Sequence, residues 1–218
     1  MTLKADEKII IKGLKLKTES LSDYKKRYNI SPTQNVLGIF SDNEQNRLGM
    51  WFKWGIIISS DKNGSASKEL NLFNARAETV SEKPSFKNAF YNKRCLIIAD
   101  GFFEWAKIGK EKQPYYFTLT DEKPFAFAGL YEEKNIQGAI TPCCTVITTE
   151  ANEVVSPIHN RMPVIIKPSD YDTWLDKSNK DKESLLSLLS PLPAQYMKSR
   201  KVSSLVNSSK IDSVDCIL

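Results

Sequence analysis

The segment Arg94-Cys95-Leu96-Ile97-Ile98-Ala99-Asp100-Gly101-Phe102-Phe103-Glu104-Trp105 runs four apolar residues together, then Asp-Gly, then two aromatics before an acid. This pattern predicts a buried strand, a tight turn and a second strand. Glu104 then lies among Phe102, Phe103 and Trp105. A carboxyl desolvated by aromatic rings is held toward neutrality, which raises its pKa into the range of a general acid near neutral pH. An alternating strand also allows Glu104 to face water, and the segment alone leaves both arrangements open.

Outward from this segment the chain is strand-rich. Upstream, Asn74, Arg76 and Glu78 fall at i, i+2 and i+4 of the candidate strand Leu70 to Thr79, so an amide, a guanidinium and an acid share one face. That face is either the solvent side of an edge strand or a polar wall in which Asn74 donates to an oxygen and Arg76 holds a phosphate. Ser85 to Tyr91 reads as a short helix. Val36 to Phe40 and Gly49 to Ile58 read as a hairpin joined through Ser41-Asp42-Asn43, with Met50, Phe52 and Trp54 alternating against Trp51 and Lys53. Ser59 to Lys68 is polar and reads as a mobile loop.

Downstream, Pro114 to Leu119, Pro124 to Tyr131 and Cys143 to Thr149 are further strand candidates. A helical turn after Asn152 leads to Pro157-Ile158-His159-Asn160-Arg161-Met162-Pro163, which carries the sole histidine of the chain. Helices are expected near Ser169 to Leu175 and Asp181 to Leu189. Beyond them, roughly residues 200–218 read as a Ser-rich tail that packs loosely.

At the other end, Asp6 caps a short amphipathic helix running to Lys17, with Ile9, Ile10, Leu14 and Leu16 among lysines. Lys4, Lys8, Lys12, Lys15, Lys17, Lys25, Lys26 and Arg27 make this the most basic third of the chain. They form either a solvated face or a phosphate-contacting one. The 218 residues, 41% hydrophobic and 26% charged, suit one globular domain spanning 1–218. A net charge of +5 with pI near 8.9 suits a polyanionic partner without requiring one. Cys95, Cys143, Cys144 and Cys216 form no CxxC pair, so neither a metal site nor a disulfide framework is expected. No long apolar run or leader pattern is visible, which predicts no membrane insertion and a cytoplasmic location.

Arg27-Tyr28-Asn29, Trp54-Gly55, Asn74 to Thr79, Lys83-Pro84-Ser85-Phe86, Arg94-Cys95-Leu96 with Ala99 to Trp105, Phe125 to Leu130 and Ile158 to Pro163 together resemble the SOS-response-associated peptidase family, in order and spacing over most of the chain. The resemblance implies an α+β fold: bulged, mixed or antiparallel strands closing into a barrel-like core with peripheral helices and a basic groove. It implies binding to single-stranded DNA at abasic sites, covalent capture of the ring-opened sugar and self-cleavage of a short N-terminal peptide. No cofactor or metal, a monomer, and a nucleoid association when bound to DNA follow from the same resemblance. Residue by residue, Asn74 matches the asparagine that positions the sugar, Glu104 the acid and His159 the histidine that assists Schiff-base chemistry. Arg76, Arg161, Trp54 and Asn29 match DNA-binding positions.

Two departures from the family pattern stand out. The family's nucleophile is a cysteine directly after the initiator methionine, whose thiol and amine capture the aldehyde as a thiazolidine; here the chain reads Met1-Thr2-Leu3, as if the cysteine lay a few residues upstream. An N-terminal Thr2 would close only to an oxazolidine, which reopens more readily. The family's aromatic wedge after Trp-Gly is also missing, since Ile56 to Asp61 follow Gly55, and Trp51 is the neighbouring ring that could replace it. A noncatalytic DNA-binding module and a self-processing peptidase remain the alternatives. The chemistry itself favours an α-amine, which at a pKa of about 8 is roughly a few hundred times more available as the neutral base than a lysine near about 10.4.

Overall fold

The computed structural model describes residues 1–18, 20–60, 68–136 and 138–218. Helix α1 (Glu7–Leu14) starts where the Asp6 carboxylate accepts from the Lys8 amide at 3.0 Å. It stops before the expected Lys17 because Lys15 adopts the left-handed conformation, φ 53°. Ile10 and Leu14 bury its apolar face.

Strands β1 (Asn35–Ser41) and β2 (Arg47–Trp54) form the expected antiparallel hairpin. The Asp42 carboxylate closes its turn by accepting from the Glu44 and Asn46 amides, both at 2.8 Å. The second strand is shorter than the sequence suggests. Gly55, at φ +133°, breaks it, and a side chain there would meet the Phe73 ring at 2.8 Å. The chain resumes as β3 (Ile56–Ser60), paired with β4 (Lys68–Leu72), so most of the loop expected over Ser59 to Lys68 lies outside the described residues. Next come β5 (Asn74–Arg76), α2 (Pro84–Asn92), β6 (Arg94–Ala99), β7 (Phe102–Ile108), β8 (Glu111–Leu119), β9 (Phe125–Ile136) and β10 (Ala139–Glu150). The chain ends with β11 (Arg161–Pro163), β12 (Ile165–Ile166), α3 (Tyr171–Leu175), α4 (Lys182–Ser187) and β13 (Met197–Lys201), followed by two 3-10 turns.

Five strands close a ring. β6 pairs antiparallel with β1 and β9, β1 with β2, β2 runs parallel to β10, and β10 returns to β9. The barrel is therefore mixed, as expected, with β5, β11 and β12 appended to its rim. β6 is buried along its whole length because one face fills the barrel and the other lies beneath α2 and α3. At its first residue the buried Arg94 guanidinium donates to the Phe90 carbonyl at 2.7 Å and the Trp174 carbonyl at 2.6 Å, and also to Asp176. It thereby satisfies the C-terminal carbonyls of both covering helices.

Asp100-Gly101 is not a hairpin turn. β6 stays in the barrel, whereas β7 joins a separate antiparallel sheet with β8 and β13. The dipeptide switches the chain between sheets, and Gly101 is required because the Tyr116 ring lies 2.3 Å from where a side chain would begin. Asp100, 1% exposed, accepts from Thr2 Oγ1 at 2.5 Å and from the Lys4 and Ala5 amides at 2.5 and 2.8 Å. The N-terminal segment is thus pinned beneath the switch.

The C-terminal segment does not pack loosely. Val206, Cys216 and Ile217 join Phe103 and Tyr116 in a second apolar cluster. Asp212 pairs with Arg27 and accepts from the Tyr28 and Asn29 amides at 2.6 and 2.8 Å. Serine-rich composition concealed this, because the anchoring groups come from residues 27–29.

Candidate active site

A cleft of about 500 Å³ opens between the barrel rim and the three-stranded sheet. β5 supplies Asn74 and Arg76, whose side chains stand exposed on either side of the buried Ala75. β5 runs in parallel register with β10, so Val146 and Thr148 lie beside them on the cleft floor. β7 supplies Glu104 and Trp105 from the opposite wall, and His159 enters from the turn before β11. Asn74, Glu104 and His159, far apart in sequence, line one cavity.

The Glu104 carboxyl is 22% exposed and lies 3.9 Å from His159 Nδ1. Burial pushes its pKa up to about 7, against the opposing pull of His159 and the chain's N-terminal ammonium. The Glu104 side chain lines the cleft and is partly shielded from solvent. His159 Nδ1 meets both backbone groups of Arg161: the amide donates to it at 3.1 Å, and the carbonyl lies 2.9 Å away. Without a proton Nδ1 accepts from the amide, and with one it donates to the carbonyl, so the Arg161 backbone can hold the ring in either tautomer.

Met1 also lines the cleft, its α-amine donating to the Ile30 carbonyl at 2.8 Å. Burial lowers that amine's pKa to about 5, opposed chiefly by Glu104 and Asp100. Thr2 is sealed away. Its hydroxyl is held by Asp100 and lies 2.7 Å from the Tyr116 hydroxyl. Burial likewise pushes the Cys95 and Cys144 thiols far up, which leaves neither as a thiolate near neutral pH.

The sequence-derived DNA-contacting residues separate on inspection. Arg76 is exposed at the cleft and forms no ion pair among the described residues. Arg161 is already engaged: it grips Glu78 through two bonds of 2.6 and 3.0 Å and donates to the Thr148 carbonyl at 2.5 Å. This pair holds the Glu78 carboxyl below its usual range. Glu78 lies past the end of β5, so the three-residue polar face predicted for one strand stops at Arg76. Trp54 lines the cleft with its indole N–H on the Phe73 carbonyl at 2.9 Å.

Asn29 lines the cleft but is only 4% exposed, and its side-chain amide donates to the carbonyls of Val206, Ser208 and Ile211 at 3.0–3.1 Å, fastening the C-terminal segment. Trp51 is no replacement for the missing wedge. It projects from the other face of β2, where its indole donates to the Ser22 carbonyl at 2.7 Å. The ring that sequence reasoning passed over is Trp105, positioned at the cleft by Asn207 Oδ1 at 2.7 Å. Asp100 was passed over as well, because Asp before Gly reads locally as a turn.

A sequence model of the SOS response associated peptidase (SRAP) family matches residues 1–209. The abasic site processing protein YoqW of Bacillus subtilis is 44% identical over 197 residues, covering 89% of this chain and 87% of that one. The abasic site processing protein HMCES of Xenopus tropicalis is 29% identical over 223 residues, covering 89% of this chain and 66% of its own. A crystal structure of a protein from Bacteroides thetaiotaomicron superposes with a TM-score of 0.81 at 25% identity, covering 98% of this chain and 97% of that one. The five-stranded mixed barrel, the model match across nearly the whole length and the 44% identity converge: the chain belongs to the SOS response associated peptidase (SRAP) family.

Proposed function

We propose that this protein binds single-stranded DNA at abasic sites and that the cleft is where the ring-opened sugar is captured. The observation that carries the reading is Glu104: a carboxyl held near a pKa of about 7 by burial, 3.9 Å from His159, in a cavity shared with Asn74 and Arg76. The names of the curated relatives point the same way.

The chemistry needs a neutral amine, an acid and a proton carrier. An amine from the segment that reaches the cleft at Met1 adds to the aldehyde carbon, giving a carbinolamine. Protonated Glu104 then gives its proton to the departing hydroxyl, which leaves as water, while His159 takes the proton released from nitrogen. The Asn74 amide is placed to donate to a sugar oxygen, and Arg76 to meet a phosphate. The rings of Trp54 and Trp105 offer stacking faces for neighbouring bases, each worth ~1–3 kcal/mol.

A noncatalytic binding module is the second reading, favoured by the sealing of Thr2 Oγ1 beneath Asp100 and Tyr116. Incubation with single-stranded DNA bearing an abasic site, followed by trapping with borohydride and a denaturing gel, separates the two. Capture predicts a trapped adduct that Glu104→Gln and His159→Ala slow by about 10²-fold or more. Binding without any trapped adduct would favour the module.

A further inference from the structure

A second recess, of about 220 Å³, opens beside Tyr116. Lys4, Lys198 and Arg200 bring three cationic side chains to it from segments at opposite ends of the chain. Residues 198 and 200 lie two apart on β13 and so project from one face, in register with Thr118 and Tyr116 of β8. The Arg200 guanidinium carbon sits 5.6 Å from the centre of the Tyr116 ring. Stacking of that kind orients the planar fork and leaves its donor edge free for bidentate recognition.

Two carboxylates bear on the recess. Glu122 takes Lys198 at 2.6 Å. Asp100 lies 3.8 Å from Lys4 Nζ, but its oxygens are already engaged by Thr2 and the Lys4 and Ala5 amides. Arg200 has no carboxylate partner among the described residues. A hollow with cations in excess, one of them a preoriented fork, and with the Thr118 hydroxyl on its wall suits a phosphate group.

The recess adjoins the cleft. Met1 lines one and Lys4 the other, and three extended residues span ~10 Å. Phe103 lines the cleft and packs at 5.1 Å on Tyr116, which lines the recess. We infer that this recess holds a backbone phosphate of the same nucleic-acid strand whose abasic residue occupies the cleft, with Arg200 as the fork and Lys4 and Lys198 as flanking charges. The inference rests on the function proposed above for the cleft.

Two measurements on the full chain test it. Titration with inorganic phosphate, followed by amide NMR, should shift Thr118, Ser199 and Arg200 in the wild type and leave them unmoved in K198Q/R200Q. Glu122→Gln, which frees Lys198, should tighten phosphate binding several-fold, a gain that misfolding cannot mimic. In parallel, Arg200→Gln should reduce the slope of log K against log salt for single-stranded DNA by about 0.7, one phosphate contact. A slope change together with phosphate shifts supports the assignment; a slope change without them would mean that Arg200 meets DNA outside the recess and overturns it. Phosphate shifts with an unchanged slope would mean a free phosphate ligand and overturn the nucleic-acid assignment; neither effect would overturn the site altogether. If the wild type fails to bind DNA at all, the function proposed for the cleft falls and this assignment with it, while the phosphate titration still decides whether the recess binds the anion.

Discussion

Replacing Glu104 by Gln should make the protein more stable at neutral and alkaline pH while disabling the cleft. Burial raises the Glu104 pKa from 4.5 to about 7. Each pKa unit corresponds to about 1.4 kcal/mol, and with 22% of the side chain exposed the ionised carboxyl costs the fold about 2–3 kcal/mol. The sign follows from the direction of the shift. Below 4.5 the folded and unfolded chains both hold the proton; between 4.5 and about 7 only the folded chain keeps it, so the contribution, fully present at low pH, is lost as pH rises through about 7. Glutamine carries no such dependence. Urea unfolding of the wild type and Glu104→Gln across pH values from about 4.5 to about 8.5 should give curves that coincide at the acid end and diverge by about 2–3 kcal/mol at the alkaline end, the variant being the more stable. In a chain of this size the alkaline difference corresponds to a Tm gain of about 5–10 °C. Parallel curves, or a wild type more stable than the variant above pH about 7, would refute the desolvated-acid argument.

Further outcomes follow from other contacts. Without borohydride, a denaturing gel should show no heat-stable adduct between this protein and abasic single-stranded DNA, because the Thr2 hydroxyl is enclosed by Asp100 and Tyr116 and cannot close a ring onto the imine. A chain carrying Met-Cys-Gly-Arg ahead of Met1 should form one; an adduct from the first would contradict the placement of Thr2. Arg76→Ala should lower the salt slope of DNA binding by about 0.7, whereas Arg161→Ala, which frees Glu78, should chiefly lower stability. An unaltered slope in Arg76→Ala would remove Arg76 from the DNA path. Asn29→Ala leaves three carbonyls of the C-terminal segment without their donor and should cost about 1–3 kcal/mol, with faster amide exchange across residues 203–212. Unchanged exchange there would show that the apolar contacts of Val206 and Ile217 suffice.

Local chemistry was legible wherever neighbours in sequence set it. The apolar run of β6 announced a buried strand, the aromatics around Glu104 raised a desolvated acid as one of two arrangements, and the alternation of Asn74 and Arg76 placed both on one face of β5. What stayed hidden depended on partners far away. Asp100-Gly101 has the chemistry of a hairpin turn, but β6 finds better neighbours in β1 and β9, so the turn becomes a crossing between sheets. Asn29 carries a motif that resembles a DNA contact, yet three carbonyls near residue 208 claim its amide. Arg161 and Glu78 neutralise each other across a separation of 83 residues, which no local window can register.

The clasp between Arg27 and Asp212 joins positions separated by 185 residues. Because the cleft takes Met1 and Asn29 from one end of the chain and Val206 and Asn207 from the other, it has no partial version on a half-made polypeptide. At a synthesis rate of about 5–20 residues per second, Asp212 emerges roughly 10–40 s after Arg27. Until then the wall facing Trp105 does not exist, and the barrel can fold around β6 without its working surface. Vectorial synthesis therefore acts as a timer: the cleft is completed only once residues 206–212 have followed the strands of the barrel, after the scaffold beneath it is in place.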